Sequence, residues 1–319
     1  MLAERHARDR ARDERFPGAY EVPAACRPHI ESAAAGPAGF GATAVDGGEV
    51  VGFMLAQPFL ANPTHMTALF FAPRTINIGY DMHAAAAGRE FEAYRELYAS
   101  VGAEAVRRGF FDHNIYVAAR DTAVHEAVVS LGFGRSVVAA MRGVEPLDAS
   151  TDAAVEMHLA SSEDAAVVFA LNEELTLHHA RAPIFWPHLA EASESSHEFT
   201  RELLSESEKN AHWVAYKGGE ALGMNTFMPP NWIPPLLAPE STIYLYQGVV
   251  SERARSGGIG RAILSHALGW AREQGYRHVA LHYASANVSG GRFWSATGFT
   301  PIEYRMTRHI DERIAWAGA

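Results

Sequence analysis

Cysteine is nearly missing from this 319-residue chain, with Cys26 the only one. A single thiol excludes an internal disulfide and any cysteine-based metal cluster. Long apolar runs are missing too. No stretch reaches the roughly 18–20 apolar residues of a membrane span, so no membrane partner is expected. The opening MLAERHARDRARDERF mixes charges of both signs around no apolar centre, unlike a secretory signal, and the chain reads as cytoplasmic. A basic excess is also lacking. Lys and Arg total 27 against 37 Asp and Glu, a formal charge of −10. That balance speaks against nucleic-acid binding, which needs a basic face, and is compatible with a cationic small-molecule substrate. What is plentiful is apolar material, 48% of residues. It is enough for a large core, in a length that suggests about two domains.

The chain repeats itself. DGGEVVG (46–52) is answered by KGGEALG (217–223), an offset of 171, and each Gly-Gly pair lies between strand-like runs. Such a pair signals a tight hairpin. Gly109 and Gly275, and then SLGFG (130–134) and ATGFT (296–300), share an offset of 166. Each half reads as a hairpin, a strand, a long helix, a strand, a short helix and a final strand after Gly-Phe. The long helices are REFEAYRELYASVGAEAVRRG and GRAILSHALGWAREQG. In the second, Ile263, Leu264, Ala267, Leu268 and Ala271 form the apolar stripe. Proline, polar residues and lost periodicity mark a linker near GVEPLDASTDAA (143–154).

Between the apolar run 243–250 and the second long helix lies ARSGGIGRA (254–262), three glycines in four positions flanked by arginines. A glycine-rich turn from a strand into a helix N-terminus presents unpaired N–H groups to an anion, aided by the helix dipole. Gly257, Gly258 and Gly260 supply bare backbone; Arg255 and Arg261 supply charge. The spacing is neither that of a P-loop nor that of a Rossmann fingerprint. A diphosphate ligand is favoured over a purely structural turn.

Arg255-Ser256-Gly257-Gly258-Ile259-Gly260 matches an Arg/Gln-x-x-Gly-x-Gly/Ala loop, and NVSGGRFWSATGF (287–299) has an Asn, an aromatic seven residues on, then Gly-Phe. On these motifs the chain resembles the GNAT superfamily of N-acetyltransferases, well over 151–312 and more faintly over 1–145. The resemblance implies an α/β (α+β) fold of two tandem GNAT-like domains, each a mixed, mostly antiparallel sheet flanked by helices. Their expected bounds are 1–145 for a degenerate copy, 146–155 for a linker and 156–312 for the N-acetyltransferase domain. It also implies acetyl-CoA as cofactor and direct acetyl transfer to a small-molecule amine in a ternary complex, by a monomer or homodimer. The cofactor residues it points to are Gly248, Val249 and Val250, then Arg255, Ser256, Gly257, Gly258, Ile259, Gly260 and Arg261, then Asn287 and Trp294. Val250 would donate its N–H to the thioester oxygen. Subtracting 166 from Arg255, Gly258 and Gly260 gives Arg89, Glu92 and Tyr94, so the first half has lost the loop.

Direct attack needs a base for the amine. Strand alternation puts His282 opposite Val279, Leu281 and Tyr283, and an imidazole near pKa 6.5 suits the task; the alternative is a structural histidine. Gln247 can orient a water. The acceptor side is expected from Glu173, Glu174, His178, Trp186 and Tyr304, the glutamates receiving a cation and Phe185 with Trp186 covering an apolar body. No metal site is expected, because His178 and His179 are neighbours that face different ways on a helix. One departure stands out. Trp294 replaces the family's tyrosine, whose hydroxyl protonates the leaving thiolate. That leaves Ser289, another tyrosine or water as the acid. It also leaves open a catalytically weak or inactive CoA-binding protein with a regulatory or scaffolding role.

Overall fold

The computed structural model describes residues 1–36, 38–149 and 154–318. Four residues of the expected linker, 150–153, lie outside the described residues. The first half runs α1 (Leu2–Arg12), α2 (Pro23–Ala35), β1 (Phe40–Asp46), β2 (Glu49–Leu60), β3 (Arg74–Ile78), β4 (His83–Ala85), α3 (Glu90–Arg107), β5 (Asp112–Ala118), α4 (Thr122–Ser130) and β6 (Gly134–Gly143). The second runs β7 (Glu156–Leu159), α5 (Ala165–Ala180), α6 (Ser193–Ser205), β8 (Ala211–Lys217), β9 (Glu220–Met228), β10 (Thr242–Val250), α7 (Ile259–Glu273), β11 (His278–Ala284), α8 (Val288–Ala296) and β12 (Thr300–His309). From the helix pair onward the order of elements is the same twice, except that the first half adds the short β4; β7, ahead of the helices, belongs to the second half alone among the described residues.

The turns between β1 and β2 and between β8 and β9 have both glycines at positive φ, +58° and +87° at Gly47 and Gly48 and +59° and +82° at Gly218 and Gly219. Side chains with a Cβ resist that conformation, and it gives the tight turn the twist of its strands. In α7 the stripe of Ile263, Leu264, Ala267, Leu268 and Ala271 is fully buried, so helical periodicity and packing agree.

All the strands join in one sheet of order β1-β2-β3-β5-β12-β6-β11-β10-β9-β8-β7, with β4 pairing β2. The order is not that of two self-contained halves. β12, the last strand of the second half, lies antiparallel to β5 of the first, from Glu303↔Ala118 to His309↔Asp112. β6, the last strand of the first half, lies antiparallel to β11 of the second, from His278↔Gly143 to Ala284↔Val137. β6 and β12 then pair with each other at the centre. The two halves exchange their final strands, so segments 1–145 and 156–312 each hold a full set of elements and neither closes its own sheet. The cores are shared accordingly: Met306 of β12 packs into the first half's core and Ala140 of β6 into the second's.

The exchange carries a polar group inside. Glu303 stands opposite Ala118 and Ala139, is 2% exposed, and its Oε1 has no hydrogen-bond partner. Burial, and then the negative charge of Asp81, pushes its carboxyl up to about 8.

Candidate active site

β10 and β11 run parallel only from Thr242↔His278 to Leu245↔Leu281. A bulge at Tyr246 then shifts β10's register on β9, to which it stays paired as far as Val250↔Gly223. β11 meanwhile stays paired to β6 as far as Ala284. The two strands therefore splay, and the inner edge of Tyr246–Val250 has no strand beside it. Ser251 N–H donates to Leu222 O on β9 at 2.9 Å. Strand backbone groups alternate sides, so the N–H groups of Val250 and Gly248 face the gap. A cleft of about 570 Å³ opens there, within the usual range for a small-molecule site.

The N-terminus of α7 closes one end of the cleft. Gly258 caps it in the left-handed region, φ +79°, and Ser256 before it is also left-handed, φ +66°. The first intrahelical bond is Ala262 N–H to Gly258 O, which leaves the N–H groups of Ile259, Gly260 and Arg261 without helical partners. A Cβ on Gly260 would sit 3.2 Å from Val250 Cγ2 and 3.4 Å from the Phe293 ring; the bare backbone lets the helix end approach the strand. A Cβ on Gly248 would sit 2.9 Å from Trp294 Cη2 and 3.0 Å from Asn225 Nδ2, so the glycine seats the indole. Asn287 caps α8, its Oδ1 accepting from Gly290 N–H at 2.9 Å and from Ser289 Oγ at 3.0 Å.

The cleft brings together Gln247, Gly248, Val249, Val250, Arg255, Ser256, Gly258, Ile259, Gly260, Arg261, His282, Asn287 and Trp294, with His178 and Trp186, the two expected acceptor residues, also lining it. Arg261, expected to offer its charge to a ligand, instead donates to Ala296 O at 3.2 Å and Asp148 O at 3.4 Å. Gly257 is exposed and does not line the cleft. The two glutamates are elsewhere. Glu173 accepts from His188 Nε2 at 2.9 Å, Glu174 from Ser251 Oγ at 2.9 Å, and among the described residues no carboxylate lines the cleft. Tyr304 also lies outside, because the exchange carries β12 away. Arg135 sits 3.6 Å above its ring and His125 packs against it. Phe185, left-handed at φ +55°, is 72% exposed and points to solvent, whereas the next residue, Trp186, turns inward.

His282 lines the cleft on the face that Tyr244 and Ala280 share with α6, away from Leu281 and α7. Its Nδ1 lies 2.9 Å from Tyr244 Oη. Burial, and then the charge of Arg305, pushes the imidazole down to about 4. It is neutral at working pH, far below the value of 6.5 expected from composition. Sequence reasoning missed Tyr246, Asn225 and Tyr283, all of which line the cleft; Tyr246 sits in the bulge, where strand periodicity fails.

Residues 175–299 match the profile of the acetyltransferase (GNAT) family. Over this stretch, less than half of its length, the chain is similar to the GNAT family. It is 30% identical over 99 residues to N-acetyltransferase family 8 member 2 of Rattus norvegicus, a match over 30% of this chain and 42% of that protein's length. Its fold is similar to that of a GCN5-related N-acetyltransferase from Sphaerobacter thermophilus, with a TM-score of 0.56 and 13% identity over 82% of this chain and 77% of that one. A tandem GNAT protein from the clavulanic acid biosynthesis pathway is similar at a TM-score of 0.47 and 17% identity, over 90% of this chain and 88% of that one.

The splay occurs twice in this sheet. In the first half, β3 and β5 run parallel from Thr75↔Asp112 only to Ile78↔Ile115, and Ile115 stands 166 positions before Leu281. There the gap is filled by side chains. His83 Nε2–H reaches across it to Tyr116 O at 2.8 Å. The buried Arg5 of α1 donates to the carbonyls of Tyr80 and His83. Tyr94, at the position equivalent to Gly260, puts its hydroxyl on His83 Nδ1. At the mouth, Arg12 lies 3.5 Å from Asp121 and Arg8 3.7 Å from Glu90 in the first turn of α3.

Proposed function

We propose that the chain is an acetyl-CoA-dependent N-acetyltransferase that acts on a small amine by direct transfer, with one cofactor site, in the second half. The observation that carries this reading is the open, splayed gap between β10 and β11, ending on a glycine-lined helix N-terminus, beside a first-half gap filled by Arg5, His83 and Tyr94. The first half is then a degenerate copy.

The residues fit the cofactor. Backbone groups of Gly248 and Val250 face the gap with no strand to pair them, as a pantetheine arm requires. The free N–H groups of Ile259, Gly260 and Arg261 suit a diphosphate, with Arg255 exposed beside them. Acetyl-CoA supplies the activated acetyl group. Val250 N–H would donate to the thioester oxygen, which electrostatic stabilisation of acyl transfer requires. His282 presents Nε2 to the cleft when Nδ1–H donates to the Tyr244 oxygen. A neutral imidazole in that tautomer accepts a hydrogen bond from the incoming amine and takes its proton as the new bond forms. A covalent acyl-enzyme is disfavoured: Cys26 is buried in the first half, and Ser289, which lines the cleft, donates to Asn287 and to no base.

Trp294 carries no acidic hydroxyl, and this favours the second reading, a protein that binds CoA without turnover. Tyr283, which also lines the cleft, is a substitute acid. Isothermal calorimetry with acetyl-CoA tests the site. One equivalent should bind per wild-type chain and none to Gly258→Glu with Gly260→Glu. Undiminished binding by the double variant, or two equivalents bound by wild type, overturns the assignment. Release of free thiol with an amine, above the hydrolysis background, separates enzyme from binding module.

A further inference from the structure

Beside the cleft stands an aromatic wall built from five separate segments. Trp232, in the loop between β9 and β10, is its hub: its ring centroid lies 5.0 Å from that of Tyr246 on β10, 6.2 Å from Phe70 and 6.4 Å from Phe199 on α6. Phe70 in turn meets Trp186 edge-on at 5.9 Å. Phe70 comes from the first half and the other four from the second. Trp186 and Tyr246 line the cleft, and Trp232 is 41% exposed. The wall leads to His282 through Tyr244, whose ring lies 5.7 Å from Trp232 and 5.6 Å from the imidazole.

Two properties of this surface select among amines. Flat aromatic faces gain most from a flat apolar partner, through area burial and offset or edge-on ring contacts. The cleft also offers no carboxylate among its described lining residues, while Arg255 and the histidines leave it neutral to basic. A polyamine or aminosugar, which carries several charges besides the reacting nitrogen, would be desolvated there with no counter-charge. A monoamine has a single charge to shed, the proton it loses to become the nucleophile.

We propose that the acceptor is a primary amine carried on an aromatic ring, its ring held against Trp232, Tyr246 and Phe70 and its nitrogen directed to His282. The proposal rests on the N-acetyltransferase reading and names the substrate class of that same site. It also gives the first half a role: with its own gap filled, it contributes Phe70 to the acceptor wall of the other.

The test measures acetyl-CoA-dependent thiol release with 2-phenylethylamine, n-propylamine and kanamycin, with the products identified by mass spectrometry. The kcat/KM for 2-phenylethylamine should exceed that for either rival by at least about 10-fold. Trp232→Leu, at a part-exposed position, should raise its KM roughly 10-fold, with kcat and acetyl-CoA affinity little changed; Phe70→Leu should act in the same direction. If kanamycin or n-propylamine is the better acceptor, or if Trp232→Leu leaves KM unmoved, the substrate class is wrong and the transferase reading stands. If acetyl-CoA binds and no amine is acetylated, both fall.

Discussion

Replacing Glu303 with glutamine should make the protein more stable, and increasingly so as pH rises. The carboxyl is 2% exposed and lies in the exchanged strand with one oxygen unpartnered. Burial raises it to about 8 from an ordinary value of 4.5. Between those values the folded chain keeps a proton that the unfolded chain has released. Folding is therefore unpenalised below about pH 4.5, and stability is lost progressively as pH rises towards 8. At pH 7 the cost is about 1.4 kcal/mol for each of roughly 2.5 pH units, or about 3 kcal/mol; at pH 5 it is under about 1 kcal/mol. Glutamine has the same shape and no proton to lose. Thermal or urea unfolding of both proteins at pH 5, 6, 7 and 8 measures the difference. Glu303→Gln should gain about 1.4 kcal/mol per pH unit from pH 5 to 7 and level off above 8. A gap that does not change with pH, or a wild type more stable than the variant at pH 8, would refute the reasoning.

His282→Ala should lower kcat/KM by about 10²-fold, the low end for loss of a general base, with acetyl-CoA affinity unchanged by calorimetry. Because the imidazole is held at about 4, the wild-type pH–rate profile should show no break from it between pH 6 and 8; a break near 6.5 that vanishes in the alanine variant contradicts the burial argument. Gly248→Ala places a methyl 2.9 Å from Trp294 Cη2 and 3.0 Å from Asn225 Nδ2, so the indole must move. It should cost about 1–3 kcal/mol of stability, as overpacking does, and weaken acetyl-CoA binding. A variant equal to wild type in both would mean that glycine is not needed there.

Much of the local structure was legible. Gly-Gly pairs locate both hairpins because only such residues accept two successive left-handed positions, and the α7 stripe and its glycine loop follow from helical spacing and cap chemistry. Alternation likewise places His282 on the opposite face from Leu281. The pairing of the final strands was not legible. Both follow Gly-Phe, and nothing within either strand says which half it joins; the exchange then removes Tyr304 from the acceptor side. Glu173 and Glu174 were read as free charges because a sequence does not show His188 or Ser251 arriving from elsewhere. The imidazole's depressed proton affinity was hidden for the same reason: it depends on burial and on Arg305, brought in by the exchanged strand. The aromatic wall has no local signature, since its five residues come from five segments.

Strand exchange also sets a schedule for synthesis. β5 ends at Ala118 and its neighbour β12 begins at Thr300, 182 residues later. At about 5–20 residues per second, β5 leaves the ribosome roughly 10–40 s before that neighbour exists. β6 waits for partners on both sides, since β11 and β12 both lie in the second half. Through that interval the apolar run Val137–Met141 and two unpaired strand edges stand open to other nascent chains, the kind of surface that promotes aggregation. Translation speed and chaperone supply should therefore govern the yield of active protein more than the stability of the finished fold does. The first half of this chain is the last to be completed.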